Sequence, residues 1–252
     1  MLADWLSDAF PFAKPEVLKW DYRKNKIIQV VLEVNPDVFA LEECDHYEDW
    51  FKGQFKAKGY KSTYLIKNGG NDGTAIFWKK EKFTKLKQGT HTYLWNSKKT
   101  TQGVLAVVLQ GKDKEKTSIC VAATHLKAKP GFEEQRKGQG EQLVQYIKEF
   151  NEKQSPVVIL GDFNDTPDSL VCKHMGLHYA SAYPSNTWTT WKKRETVVQR
   201  TIDYIWYDSA KLQPIQILPA PLESDCPQLL PASYYPSDHI LIAAKFILKS
   251  KL

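Results

Sequence analysis

The sequence predicts an α/β protein built on two packed sheets flanked by helices. Three observations point there. Short apolar runs of strand length recur from Val38 to Phe246, helical periodicity is only occasional, and the length and composition suit a compact core. Consecutive strand-like runs with few helices between them argue against one doubly wound parallel sheet, which needs a crossover helix after most strands.

In chain order, Ile27, Ile28, Val31 and Leu32 share one face at helical spacing, Asn35-Pro36 interrupts the pattern, and Val38 to Leu41 is all apolar. That order predicts a helix feeding a buried strand. Strand-like runs come next at Thr74 to Trp78, Val104 to Leu109, Ile119 to Thr124, Val157 to Leu160, Ile202 to Tyr207 and Ile240 to Phe246. Glu133 to Phe150 is free of proline, and Leu143, Tyr146, Ile147 and Phe150 give it an apolar face, so it is expected to be a helix. Lys79-Lys80-Glu81-Lys82 and Lys112 to Lys116 read as solvated hairpin turns. With no internal repeat, low-complexity tract or long linker, residues 1–252 are expected to form a single domain.

Composition narrows the class. At 252 residues, with 42% apolar, 25% charged and 12% aromatic side chains, the chain is neither disordered, collagenous nor coiled coil. Its longest apolar run, Val104 to Leu109, is far shorter than the roughly 18 residues of a membrane span, so no membrane contact is expected. Thirty-five basic against 29 acidic residues leave +6, which favours an anionic partner but is equally explained by solubility. Eight tryptophans are expected to be mostly core. Cys44, Cys120, Cys172 and Cys226 are scattered and form no C-x-x-C pair, so reduced thiols in a cytosol-like compartment are expected. Met1 to Pro11 carries two acids and no basic cluster, unlike a secretory leader.

The informative regularity lies at the ends of the apolar runs. Val38 to Leu41 ends in Glu42-Glu43, Cys120 to Ala123 in Thr124-His125-Leu126-Lys127, and Val157 to Leu160 in Gly161-Asp162-Phe163-Asn164. A buried strand surfaces at its end, so these groups can converge at one rim of the sheets. Asp203 lies in an otherwise apolar run, where a lone charge is costly without a partner, and His239 precedes the last run. A carboxylate bonded to an imidazole fixes its tautomer, so Asp203 and His239 form a candidate pair. Taken singly, most of these residues have ordinary readings: Glu42-Glu43 a solvated turn, His125 a core histidine, Asp162 a helix cap, Asp238 a turn residue. Together they suit metal-assisted hydrolysis of a phosphate ester, because carboxylate and carboxyamide oxygens are hard ligands for magnesium or manganese.

Glu43, Thr124-His125-Leu126, Gly161-Asp162-Phe163-Asn164, Ile202-Asp203-Tyr204 and Ser237-Asp238-His239, in this order, resemble the endonuclease/exonuclease/phosphatase superfamily. Trp20-Asp21-Tyr22-Arg23-Lys24, Asp45-His46-Tyr47, Thr124 to Ala128, Thr189-Thr190-Trp191-Lys192 and Tyr235 to His239 are most similar to its nocturnin-like branch, related to the catalytic deadenylases. The resemblance implies a four-layer αββα sandwich. It implies that Glu43 holds Mg2+ with Asp238 beside it, and that Asp162 aligns the attacking water. Asn164 and His125 would contact phosphate, and His239, oriented by Asp203, would stabilise the reacting phosphoryl group. The implied substrate is NADP(H), losing its 2′-phosphate, with Lys67, Lys127, Lys129 and Arg194 as the basic grip. Arg136 and Gln139 match a further pair of the branch, with helix support as their ordinary reading.

The alternatives are a 3′ exonuclease on poly(A) RNA, for which Trp188, Trp191 and Lys192-Lys193-Arg194 could supply a track, and a truncated, inactive binding module. Met1-Leu2-Ala3-Asp4 aligns past the superfamily's first strand, so that strand and its metal-binding asparagine are expected to be missing, with a sheet edge exposed. Glu42 stands where relatives carry glutamine. A cytoplasmic location is expected, or a mitochondrial one if a targeting segment precedes Met1.

Overall fold

The computed structural model describes residues 1–226 and 229–249. Strands β1 (Val38–Leu41), β2 (Tyr60–Ile66) and β3 (Gly73–Lys79) form an antiparallel sheet of order β1-β3-β2. Strands β4 (Phe83–Trp95), β5 (Lys98–Gly111), β6 (Ser118–His125), β7 (Val157–Asp162), β8 (Ala180–Ser181) and β11 (Asp203–Tyr207) form a six-stranded sheet of order β4-β5-β6-β7-β11-β8. Hairpins β9 (Thr190–Lys193) with β10 (Val197–Arg200), and β12 (Leu212–Ile217) with β13 (Ala244–Leu248), complete the strands.

Strand alternation sorts the core into layers. On β5 and β6, Leu105, Val107, Leu109, Val121 and Ala123 face the smaller sheet, where Ile76 and Trp78 meet them. The other face of the large sheet carries Val104, Ala106, Cys120 and Ala122 against α4 (Glu133–Phe150) and α5 (Leu170–Gly176). The outer face of the small sheet, with Phe39, Leu41 and Phe77, packs on α2 (Trp20–Val34) and α3 (Lys52–Ala57). A short α1 (Pro15–Leu18) precedes α2. The result is the expected helix–sheet–sheet–helix sandwich.

Among the described residues, only the β6–β7 pairing in the large sheet is parallel, and α4 provides its crossover. Gly161 permits the close approach of these strands just before Asp162, because a Cβ there would lie 2.0 Å from the Thr124 carbonyl oxygen. α2 ends at Asn35, whose left-handed conformation (φ 50) releases the chain into β1.

Three expectations need correction. The last strand runs Ala244–Leu248, not Ile240 to Phe246, because Leu241 N–H donates to the Tyr235 hydroxyl, and the Ala243 N–H and carbonyl are both engaged by the Tyr183 hydroxyl. Asp203 begins β11 at the sheet rim instead of lying within a buried strand. Among the eight tryptophans only Trp78 and Trp206 belong to the buried core, since the others sit on helix faces, hairpins and loops. β1 is an edge strand. All four cysteines are buried free thiols, and no helix among the described residues is long and apolar enough to cross a membrane.

Candidate active site

The register of the large sheet lines up three predicted residues. His125, at the end of β6, pairs with Asp162 at the end of β7, and Asp162 pairs with Asp203 at the start of β11. All three occupy positions whose side chains face the small sheet, where the chain leaving β1 supplies Glu42 and Glu43. The segment before β13 adds Asp238 and His239, held by a bridge between Thr190 and His239 and by the Thr190 hydroxyl, which donates to the Asp238 carbonyl (2.7 Å).

Asp203 and His239 pair as expected: Asp203 Oδ2 lies 2.8 Å from His239 Nδ1. Thr189 Oγ1 accepts from the Asp203 N–H (3.1 Å) and fixes the start of β11. Ligand atoms of Asp162, Asp203 and His239 all lie within 4.8 Å of one another. Asp238 Oδ2 also lies 3.6 Å from His239 Nε2, beside this trio.

Charge crowding sets the proton affinities. Burial, aided by Asp203, pushes the Asp162 carboxyl up to about 7. Against the cost of burial, Asp203 and Asp238 hold the His239 imidazole up at about 9. Burial would also raise Asp238, but Lys192 and His239 overcome it and hold that carboxyl well below its ordinary range. Burial and then Lys67 push His125 well below the usual histidine range, leaving it neutral; its Nε2 is 3.7 Å from Asp162 Oδ2. Burial and then Asp238 raise Glu43, and burial raises Glu42 to about 7.

Lys192 was not among the expected site residues, yet its ammonium is 2.5 Å from Asp238 Oδ2 and 3.1 Å from His239 Nε2. Its signals were the Thr189-to-Lys192 motif, quoted for the resemblance, and the Lys192-Lys193-Arg194 run, read as part of a nucleotide track. Arg23 was likewise missed. Fully buried on α2, it donates to the carbonyls of Leu18 (2.9 Å) and Leu2 (2.7 Å) and to Asp4 Oδ1 (3.1 Å). The segment it clamps directs the Ala3 N–H to Glu43 Oε2 (3.2 Å) and the Asp4 N–H to Asp45 Oδ2 (2.6 Å). Glu43 itself has a left-handed backbone (φ 55), a strained conformation held by this surrounding.

The remaining expected residues divide. Asn164 Nδ2 donates to the Leu126 carbonyl (3.0 Å), and its own N–H donates to Asp162 Oδ1 (2.7 Å). Lys67 pairs with Asp72 (2.5 Å) and shares a recess with His125. Arg194 stands 4.0 Å from Asp238 Oδ2, with Phe10 under its guanidinium. Lys127 and Lys129 occupy the loop after Leu126. The Lys127 ammonium lies over the Phe132 ring, and Lys129 is exposed with its carbonyl bound by Arg136. Arg136, salt-bridged to Asp165 (2.7 Å), and Gln139, which accepts from the Lys127 N–H (2.9 Å), are buried supports of that loop.

The donor set fits a hard divalent cation. Its groups are carboxylates, an amide oxygen and imidazole, the four thiols are buried in the protein, and enclosed Asp238 Oδ1 and Glu42 Oε1 have no hydrogen-bond partner.

Comparisons with known proteins bear on the family and the fold. A family model described as Endonuclease/Exonuclease/phosphatase family matches residues 9–239. Nocturnin of Rattus norvegicus is 33% identical over 95% of this chain, and the chain spans 61% of that relative. Among solved structures, the human nocturnin catalytic domain with bound sulfate superposes with TM-score 0.79 and 31% identity, over 92% of this chain and 88% of that one. ANGEL2, a 2′,3′-cyclic phosphatase in complex with adenosine-2′,3′-vanadate, shares the fold with TM-score 0.87 at 22% identity, over 97% and 92% of the two chains. Aligned strand ends, the carboxylate–imidazole cluster and these matches together establish that the chain belongs to the endonuclease/exonuclease/phosphatase family.

Proposed function

We propose that this chain is a Mg2+-dependent phosphohydrolase that removes the 2′-phosphate of NADP(H), leaving NAD(H) and phosphate. The observation that carries the reading is the convergence of Asp162, Asp203 and His239, with His125 one strand away, at a single rim. A divalent cation held by Glu43, with Asp238 beside it, would neutralise phosphoryl oxygens. Asp162 accepts a proton from water as the water oxygen attacks phosphorus, a role suited to a carboxyl near 7. The ester P–O bond breaks, and the leaving ribose oxygen takes its proton from His239, which Asp203 keeps charged and oriented. Neutral His125 and the Asn164 amide offer N–H groups to phosphate oxygens. Lys67, Lys127, Lys129 and Arg194 would grip the remaining charge of the dinucleotide. The buried free thiols fit a reducing compartment, such as the cytoplasm or the mitochondrial interior.

The test incubates the protein with Mg2+ and NADPH beside a labelled oligoadenylate. Phosphate release that disappears in Glu43→Ala and Asp162→Ala is the expected result. Shortening of the oligoadenylate without phosphate release from NADPH would move the assignment to a 3′ exonuclease. Failure on both substrates by a folded protein that still binds NADPH would make it a binding module.

A further inference from the structure

Trp5, in the 3-10 turn Asp4–Ala9, leaves 55% of its surface exposed. A large aromatic left in water is costly, and this one is held in place. Its indole N–H donates to Asp72 Oδ2 at 3.2 Å. Asp72, only 1% exposed, sits just before β3, and its other oxygen meets the Lys67 ammonium at 2.5 Å. Lys67 in turn lines the same recess as His125, and its own N–H donates to the Asp72 carbonyl (2.9 Å). One buried carboxylate thus fixes both a cation beside the phosphoryl site and the edge of an exposed indole.

Among the other surface tryptophans, Trp20, Trp50, Trp188 and Trp191 have aromatic partners, whereas Trp95, at 37% exposed, has no aromatic or cation partner among the described residues. Trp20 stacks on His46 at 3.9 Å, and Trp188 meets Trp191 edge-on at 5.7 Å. Among the described residues no ring or cation is seated on Trp5. Its indole is pre-oriented, so a flat ligand stacking on it loses little of the side chain's freedom. A cation for a phosphate and a fixed aromatic face one carboxylate away are the two elements that hold a nucleotide.

We propose that Trp5 is a stacking platform for the heteroaromatic ring of a nucleotide whose phosphate is gripped by Lys67. This rests on the phosphohydrolase reading above and names a determinant of its substrate class, favouring phosphate esters that carry a base over those that do not.

The experiment compares the protein with Trp5→Ala and Trp5→Phe, using NADPH and ribose 2-phosphate as substrates with Mg2+. A parallel titration measures equilibrium binding of 2′-phospho-ADP-ribose and of inorganic phosphate. Trp5→Ala is expected to raise KM for NADPH and weaken 2′-phospho-ADP-ribose binding about tenfold. kcat, KM for ribose 2-phosphate and phosphate binding should stay unchanged, and Trp5→Phe should recover most of the loss. Unchanged KM and binding in Trp5→Ala would overturn the platform while leaving the reaction intact. An equal loss with ribose 2-phosphate and inorganic phosphate would also overturn it, assigning Trp5 to support of Lys67. If the parent protein hydrolyses neither substrate, the phosphohydrolase reading fails, and the binding arm decides the platform by itself.

Discussion

Replacing Glu42 with glutamine should stabilise the protein at alkaline pH and leave it unchanged in acid. Its Oε1 is enclosed without a hydrogen-bond partner, and burial, with a contribution from Asp203, lifts the carboxyl from 4.5 to about 7. A carboxyl that holds its proton more tightly in the folded state costs nothing below its unfolded value. The cost grows as pH rises through the window from 4.5 to about 7 and is complete above it. That rise corresponds to about 3 kcal/mol. For a chain of 252 residues, removing it should raise Tm by roughly 6–12 °C. Thermal melts of parent and Glu42→Gln in chelator, at pH 4.5 and pH 8, test this directly. A Tm difference of the same size at both pH values, or a loss at pH 8, would refute the reasoning. Excess Mg2+ at pH 8 should narrow the gap, because a cation near Glu43 offsets the same buried charge.

Lys192→Met removes the ammonium lying 2.5 Å from buried Asp238 and should destabilise by about 3–5 kcal/mol, with most of that recovered in Lys192→Met/Asp238→Asn. Urea midpoints measure both, and a double variant no more stable than the single would count against charge burial as the cause. Arg23→Met frees the segment whose Ala3 N–H is bonded to Glu43 Oε2, and should weaken Mn2+ binding about tenfold. Manganese titration with electron paramagnetic resonance detection reads this, and unchanged affinity in a folded variant would remove Arg23 from the orientation of Glu43.

Much of the candidate site was legible because its residues sit at the ends of apolar runs. Alternation and burial mark those runs, and a polar residue just past one must surface at the rim, which is how Glu43, His125 and Asp162 stood out. The Asp203–His239 pair could be inferred from the expense of a lone charge beside apolar neighbours. Lys192 and Arg23 were not legible, because nothing local separates a lysine in a basic run, or an arginine on an amphipathic helix, from a solvated one. Their burial is decided by which carbonyls and carboxylates the fold brings to them. Trp5 was hidden for the opposite reason, since a tryptophan is expected inside.

The sequence by itself determined the two packed sheets with flanking helices and the chemical character of the rim, because hydrophobic period and residue type act within a few neighbouring positions, and its ordered motifs carried the resemblance to the family. Only the tertiary structure decided the cross-strand row of His125, Asp162 and Asp203, the clamp of Arg23 on residues 2–4, and the sharing of Asp72 by Trp5 and Lys67. These depend on register and on contacts between distant segments. Their energies come from desolvation and pairing that no single segment contains.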